Sequence, residues 1–130
     1  MAVVRRANEL FIAGRLEEAF ALWSPDGIGI PPLDWPERGP WNGTAEMQRA
    51  FKSWSAAFGA DWTTHLAVRR ELETEDGRIL TEYEFKTSGT ESGIPVDQEL
   101  AGIYTVHDGR MVRGEYFMSH GDARRAAGLE

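Results

Sequence analysis

The stretch from 96 to 119, VDQELAGIYTVHDGRMVRGEYFMS, decides the fold. Polar and apolar residues alternate on both sides of His107-Asp108-Gly109-Arg110, and an Asp-Gly pair tolerates the positive φ angles of a type I′ turn. The pattern therefore predicts an antiparallel hairpin, with one strand over 96–106 and the next over 111–119.

The alternation also assigns faces to these two strands. The more apolar face of the second strand should point at the helices, and it carries Val112, Gly114, Tyr116, Met118 and His120. Hairpin pairing makes three residues of the first strand its partners: Leu100, Gly102 and Tyr104.

Working outward, the same two-residue period predicts strands at 66–72 and 79–85, joined by a turn at Glu75-Asp76-Gly77. Before residue 61 the period is 3.6 instead, which predicts helices over 3–13, 16–23 and 44–58. A short helix is expected at 122–127. Helices followed by a meander predict one α+β domain over 1–130, a cone-shaped roll with the N-terminal helices packed in the concave face of a bent antiparallel sheet.

Composition excludes several classes of function. The 14 Lys and Arg against 21 Asp and Glu give a net charge of −7, which disfavours binding to nucleic acid. The absence of cysteine excludes disulfides, thiolate nucleophiles and cysteine-based zinc sites. Neither a secretory signal nor an apolar run long enough for a membrane span is present, so a cytoplasmic protein without a membrane partner is expected.

Several short strings occur in an order that resembles the SnoaL-like polyketide cyclase family, within the nuclear transport factor 2-like and ketosteroid-isomerase-like superfamily. They are Gly14-Arg15-Leu16-Glu17-Glu18-Ala19, Trp41-Asn42-Gly43, Ser92-Gly93-Ile94-Pro95-Val96, Asp108-Gly109-Arg110-Met111-Val112-Arg113 and Ala126-Ala127-Gly128-Leu129. The resemblance implies the cone fold, but the fold hosts isomerases, cyclases, hydrolases, dehydratases and binding modules, so it does not choose a reaction.

The resemblance places a base carboxylate in the loop before the helix-opening glycine, and Asp34 matches that position. At two positions the sequence differs from the pattern of a particular branch of the superfamily, which disfavours the reaction of that branch. Gly102 falls where the isomerase branch has an oxyanion-hole acid, and the strand Val96-Asp97-Gln98-Glu99 lacks the Arg of the epoxide-hydrolase-like branch.

Asp34 lies between Leu33 and Trp35, and burial beside apolar groups would raise the pKa of its carboxyl toward neutrality. The alternative is a carboxylate that caps a turn before Pro36. All five tryptophans lie between residues 23 and 62. Of these, Trp35 and Trp41 either line a pocket mouth or anchor the loop between them.

Further ligand-binding candidates follow from the row of apolar residues along the predicted third helix and from the inward-facing residues of the predicted strands. They are Trp54, Phe58, Leu100, Tyr104 and Met118. Tyr116 could donate a hydrogen bond to a ligand carbonyl or oxyanion, or it could be a buried tyrosine bonded to the main chain.

His120, at the end of the same face, could carry a proton or lie solvated at the strand end. Glu82 and Glu84 should face solvent or a subunit contact, unless the strand is turned over and they rival Asp34 as buried carboxylates. The three histidines share no metal-ligand spacing, and no phosphate-binding glycine motif precedes a helix, so neither a metal nor a cofactor is expected.

Two functional hypotheses result. In the first, the protein binds a small apolar or aromatic molecule in an internal cavity and catalyses acid–base chemistry, with Asp34 as base and Tyr116 as donor. In the second, the same domain is a non-catalytic module for ligand binding or dimerisation. Both hypotheses include a homodimer through the outer face of the sheet.

Overall fold

A computed structural model describes residues 2–32, 39–58, 66–88 and 95–129. The helices are α1 (Ala2–Ile12), α2 (Leu16–Phe20), α3 (Thr44–Phe58) and α4 (His120–Ala126). The strands are β1 (Trp23–Ile30), β2 (Trp41–Asn42), β3 (Leu66–Glu73), β4 (Ile79–Ser88), β5 (Pro95–His107) and β6 (Arg110–Phe117). None of the helices in these ranges combines the length and apolar character needed to cross a membrane.

The six strands form one sheet in the order β2-β1-β6-β5-β4-β3. The predicted meander from β3 to β6 is present, and every neighbouring pair within it is antiparallel. β1 adds a parallel pairing with β6, so the sheet is mixed. With the helices packed against it, the predicted α+β cone fold is confirmed.

The prediction of a second helix that runs on to Trp23 is wrong. The helix ends at Phe20, and Trp23 instead begins β1, in register with Met111 of β6. The Leu22 carbonyl accepts a hydrogen bond from the Met111 amide at 3.1 Å. The apolar spacing that suggested a further helical turn therefore marks residues that the sheet buries.

The start of α3 was predicted more closely. Asn42-Gly43 leads into Thr44, and the Glu46 carboxylate accepts a hydrogen bond from the Asn42 amide at 3.2 Å. This bond joins the first turn of α3 to the main chain just before the helix. Gly43 has a φ of 89°, so the turn into the helix uses a conformation that favours glycine.

We call the face of the sheet that α1, α2 and α3 cover the inner face. On it Tyr83 pairs with Leu100, Gly102 pairs with Tyr116, and Tyr104 pairs with Gly114. The predicted set of inward-pointing residues in β5 is therefore confirmed. In β6 the prediction that Val112 points inward is wrong, because the register shifts between Thr105 and Val106 and buries Met111 instead.

The opposite face, the outer face, is partly covered by α4. Ala123 of this helix and Ala127, its C-cap, pack with three buried residues of the sheet: Leu80, Ala101 and Ile103. The helix is capped by Ser119, whose hydroxyl accepts a hydrogen bond from the Asp122 amide at 3.3 Å. The predicted homodimer through this face stays a prediction.

Glu82 lies on the outer face, as predicted, but it is buried rather than solvent-facing. Arg124 of α4 donates two hydrogen bonds to its carboxylate, from Nε at 2.6 Å and from a terminal nitrogen at 2.8 Å. These bonds lower the pKa of the Glu82 carboxyl, so the pair stays ionised. Glu84, half-buried on the same face, accepts a hydrogen bond from Arg69 at 2.9 Å. Neither carboxylate lies on the inner face.

Two glycines make room for the tyrosines of the inner face. A Cβ atom on Gly102 would lie 2.6 Å from the Tyr104 hydroxyl oxygen, and one on Gly114 would lie 2.8 Å from the Trp23 ring. Both distances are shorter than real Cβ contacts. The missing side chains therefore let these aromatic rings lie close to the strand backbone.

We expect Gly102→Ala to reduce the free energy of unfolding by about 2 kcal/mol, because the new methyl group overpacks a buried site. Gly121→Ala is the matched control, because it lies within α4 and the nearest side-chain atom to its Cβ would be Ser119 Oγ at 3.6 Å. The control should be neutral or slightly stabilising. Urea denaturation of both variants checks this, and equal stability of the two would contradict the packing argument.

Candidate functional site

A cavity lies at the inner face, between the sheet and the first three helices. Its volume is about 40 Å³, which is room for a few waters. The described residues that line it are Ala7, Asn8, Phe11, Ala19, Phe20, Trp23, Phe51, Leu66, Tyr83, Leu100, Tyr104, Met111 and Tyr116.

Aromatic rings form much of the wall. Phe51 of α3 stacks with Phe20 at 5.6 Å between ring centroids and meets Phe11 edge-on at 5.4 Å. Trp23 meets Tyr104 edge-on at 6.2 Å. Contacts of this kind hold each ring in a preferred geometry and suit the wall to a flat apolar ligand.

The polar groups of the lining come from Asn8 and from Tyr83, Tyr104 and Tyr116, which we call the tyrosine row. These are all three tyrosines of the chain. Each sits on a different one of the neighbouring strands β4, β5 and β6, where the pairing brings them side by side on the inner face. The sheet register thus gathers the hydroxyls at one place.

The hydroxyls of Tyr83 and Tyr104 are linked to each other and to α1. Tyr83 donates a hydrogen bond to Asn8 Oδ1, and its oxygen lies 2.6 Å from the Tyr104 hydroxyl oxygen. The Tyr104 ring meets the Tyr116 ring edge-on, with 5.9 Å between the centroids. Asn8 Nδ2 donates to Thr81 Oγ1 at 3.4 Å. A continuous polar chain therefore crosses an otherwise apolar interior.

Burial raises the pKa of each of the three phenols well above its usual value. The cause is the loss of water around the charged form. The neighbouring Tyr104 phenol raises the pKa of Tyr116 further. At neutral pH the row is uncharged, and it can bind polar groups but not ionise.

The structure brings three of the predicted site residues together: Leu100, Tyr104 and Tyr116 line the cavity. Trp41 is not among the residues that line the cavity. It is buried, and its ring centroid lies 5.7 Å from that of Phe51 and 6.4 Å from that of Tyr116. Of the two interpretations of Trp41, its packing favours the anchor.

Met118 and His120 lie elsewhere than predicted, because β6 ends at Phe117. Met118 is half-buried and is not among the residues that line the cavity. His120 is the first residue of α4. Its Nε2 lies 2.8 Å from the carbonyl oxygen of Tyr83 and 3.2 Å from that of Leu100.

The position of His120 has a chemical consequence. Carbonyl oxygens only accept, so Nε2 carries a proton and donates to the main chain of β4 and β5. The His120 amide also donates to Glu99 Oε1 at 2.9 Å. The prediction that this histidine ends the inner face is therefore wrong, and its described contacts hold α4 against the sheet.

Asp34 and Trp35 lie outside the described residues, and so do the side chains of Trp54 and Phe58, whose backbone belongs to α3. Their predicted roles stay predictions. Within the described lining, no Asp, Glu or His is present. A general base at this cavity would have to come from another part of the chain.

Sequence reasoning missed Asn8, Trp23 and Tyr83 as members of the site. Asn8 was detectable, because it sits among the apolar positions of α1 where a polar side chain needs a partner. Tyr83 was placed on the apolar face of its strand but was not connected with Tyr116. Trp23 was assigned to a helix, which hid its position on the sheet.

Among the described side chains, no group of three or more Asp, Glu or His is arranged to bind a metal ion.

Comparison with known proteins identifies the family. The model of the SnoaL-like domain matches residues 4–114. The chain belongs to the SnoaL-like domain family. This confirms the resemblance to this family that the short sequence strings indicated. No match was found among the curated proteins.

Solved structures show the same fold at low sequence identity. Bal32a, from a soil-derived mobile gene cassette, is 17% identical with a TM-score of 0.75, over 97% of this chain and 93% of Bal32a. TerC, co-crystallised with polyporic acid, is 16% identical with a TM-score of 0.73, over 97% and 95%. A nuclear transport factor 2-like protein of unknown function from Burkholderia pseudomallei is 21% identical with a TM-score of 0.69, over 98% and 95%.

The raised pKa values predict the alkaline behaviour of this SnoaL-like domain. Phenolate absorbance at 295 nm should not increase between pH 9 and about pH 11 while the protein is folded, because no tyrosine outside the row contributes. In concentrated guanidinium chloride, all three phenols should titrate near pH 10.

The same raised pKa values determine whether the free energy of unfolding rises or falls with pH. A phenol with a raised folded pKa stabilises the fold below its unfolded pKa, and that contribution is lost as the pH rises above about 10. The free energy of unfolding should therefore fall above pH 10. A tyrosine of the folded protein that titrates near pH 10 would contradict the burial of the row.

Proposed function

We propose that this SnoaL-like protein binds a small, largely apolar molecule of about one ring in the inner-face cavity, with a polar atom of the ligand at the tyrosine row. The observation that carries the proposal is the lining itself, where apolar and aromatic walls converge on a few fixed hydroxyls. That combination is typical of small-molecule sites, since the walls supply affinity and the hydroxyls supply orientation.

The size of the cavity supports a small ligand. A cavity of about 40 Å³ sets an upper limit of about one ring on the size of the ligand. In the same fold, TerC was co-crystallised with polyporic acid, which is a precedent for organic ligands in such a domain. For the present chain the ligand class is inferred from its own lining.

Filling the cavity tests the binding site. Ala7 and Ala19 are buried alanines of the lining, and Ala7→Leu would place three additional carbon atoms in the cavity. We expect Ala7→Leu to weaken the binding of phenol, used as a one-ring probe, by at least about tenfold, because the methyl groups occupy the space of the ring.

The control for that experiment is Ala21→Leu, which adds the same atoms at an exposed position after α2. Chemical shift changes in amide NMR spectra report binding in each protein. If Ala7→Leu and Ala21→Leu bind phenol as the unmodified protein does, the cavity is not the site.

We further propose that catalysis at this site, without metal or organic cofactor, uses Asp34 as a general base. The resemblance to the superfamily supports this, because Asp34 matches the position of a base carboxylate in the loop before α3. The described lining is uncharged, and a proton acceptor from that loop would supply what the lining lacks.

Deuterium exchange tests the base. We expect the protein to accelerate exchange of the carbon-bound proton next to the carbonyl of 2-hydroxycyclohexanone in D₂O. Asp34→Asn should slow this reaction about a hundredfold with little change in binding, since removal of a general base affects the proton transfer. Asp26→Asn, at an exposed carboxylate in β1, is the control and should react normally.

The same measurement distinguishes a catalyst from a non-catalytic binding module. A non-catalytic module would bind the probe and leave its exchange rate unchanged in the unmodified protein. The absence of Asp, Glu and His from the described lining is the observation that favours this second candidate. If exchange is accelerated equally by the unmodified protein and by Asp34→Asn, the protein is a catalyst with another base.

A further inference from the structure

Helix α4 lies behind the strands that form part of the cavity wall. Tyr83 of β4 and Leu100 of β5 pair with each other in the sheet, and both line the cavity. Because successive side chains of a strand point to opposite faces, the residues just before them, Glu82 and Glu99, belong to the outer face. Both of these carboxylates accept hydrogen bonds from α4. The helix is therefore attached directly behind this part of the cavity.

His120 of α4 contacts the main chain of the wall itself. Its Nε2 lies 2.8 Å from the carbonyl oxygen of Tyr83 and 3.2 Å from that of Leu100, so it donates to both strands at the position where they pair. The imidazole is largely buried, with 16% of the side chain exposed. These bonds fix where the two strands lie relative to α4, and the side chains of Tyr83 and Leu100 follow their main chain.

The ion pair between Arg124 and Glu82 is a second attachment of α4. Glu82 is 3% exposed, and its carboxylate accepts hydrogen bonds from Arg124 Nε at 2.6 Å and from a terminal nitrogen at 2.8 Å. A buried carboxylate that loses such a partner is left without compensation for its lost hydration. The position of β4 next to Tyr83 and the docking of α4 therefore depend on each other.

Helix α4 is a short element whose order depends on the sheet. It has seven residues, which is too few for a helix to be stable in water by itself. Formation of the helix and its docking on the sheet are therefore one event. Elements of this kind open locally at a lower free energy than the core strands do. The helix thus has two states, one docked on the outer face and one released from it.

We propose that α4 positions the cavity wall, so that docking of α4 on the outer face and binding of a ligand at the inner face strengthen each other. His120 and Arg124 are positioning residues, since both act through the strands and neither is among the described residues that line the cavity. The inference rests on the proposed binding function and adds its regulation: anything that releases α4 lowers the affinity for the ligand.

Thermodynamic linkage makes this coupling measurable from both sides. If release of α4 weakens ligand binding by a given factor, a saturating ligand opposes the release of α4 by the same factor. Couplings between two sites of a protein are typically about 5- to 150-fold. Because α4 supports one side of the cavity only, we expect a factor at the low end, about fivefold, with phenol as the probe.

Arg124→Gln tests the coupling from the side of the helix, and Arg125→Gln is its matched control. Arg125 is the next residue of α4 and pairs with Asp122 of the same helix, so the control removes an equal charge from a pair within α4. Calorimetric titration with phenol should show about fivefold weaker binding in Arg124→Gln and unchanged binding in the control. His120→Ala removes the other attachment, and it should weaken binding in the same direction.

Hydrogen exchange in the unmodified protein tests the coupling from the side of the ligand. The amides of Ala123 and Ala127 donate to the carbonyl oxygens of Ser119 and Ala123, so their exchange reports the release of α4. Saturating phenol should slow both about fivefold, although the described lining contains no residue of α4. The buried Ile103 of β5 serves as the reference for global unfolding, under conditions in which the α4 amides exchange faster than its amide.

The two measurements together decide the proposal. Weaker binding in Arg124→Gln and His120→Ala, together with slower exchange of α4 in the presence of phenol, supports it. Unchanged affinity in both variants, an equal loss in Arg125→Gln, or α4 exchange that phenol leaves unchanged overturns it while binding itself stands. If phenol does not bind the unmodified protein, the proposed binding function and the coupling both fail.

Discussion

The buried hydroxyls of Tyr83 and Tyr104 satisfy each other, and much of the inner face is arranged around that need. Helices and sheet bury both residues, so an unpaired hydroxyl would cost stability. Side-by-side strands bring the rings within reach, and Asn8 of α1 completes the chain. The polar chain thus ties the first helix to the fourth and fifth strands, across an interior whose apolar contacts alone are less directional.

The need to place these aromatic rings explains two glycines that the alternation of polar and apolar residues would not predict by itself. Gly102 and Gly114 occupy inward positions where a larger apolar residue would bury more surface. Their absent side chains give the Tyr104 ring and the Trp23 ring their places against the sheet. The cavity is bounded by the same rings, so packing of the core and shape of the site are set together.

The sequence predicted the meander and the third helix because both depend on local periods and turn chemistry. The Asp-Gly hairpin and the inward set Leu100, Gly102 and Tyr104 are of this kind. Long-range features were not predictable in this way. The parallel pairing of Trp23 with Met111 joins residues far apart in the chain, and the burial of Glu82 depends on Arg124 arriving from α4.

The sequence predicted those residues of the candidate site whose inward orientation follows from strand alternation. Tyr104 and Tyr116 were found because each lies on the apolar face of its own strand. The link of Tyr104 to Tyr83 and Asn8 was not found, since it requires the relative placement of three elements. His120 was misplaced for a local reason: extending the alternation past Phe117 ignored Ser119, a good helix N-cap. Neutral hydroxyls can orient a ligand, whereas proton transfer near pH 7 needs a group that titrates there. The proposed binding site and the proposed base therefore come from different parts of the chain.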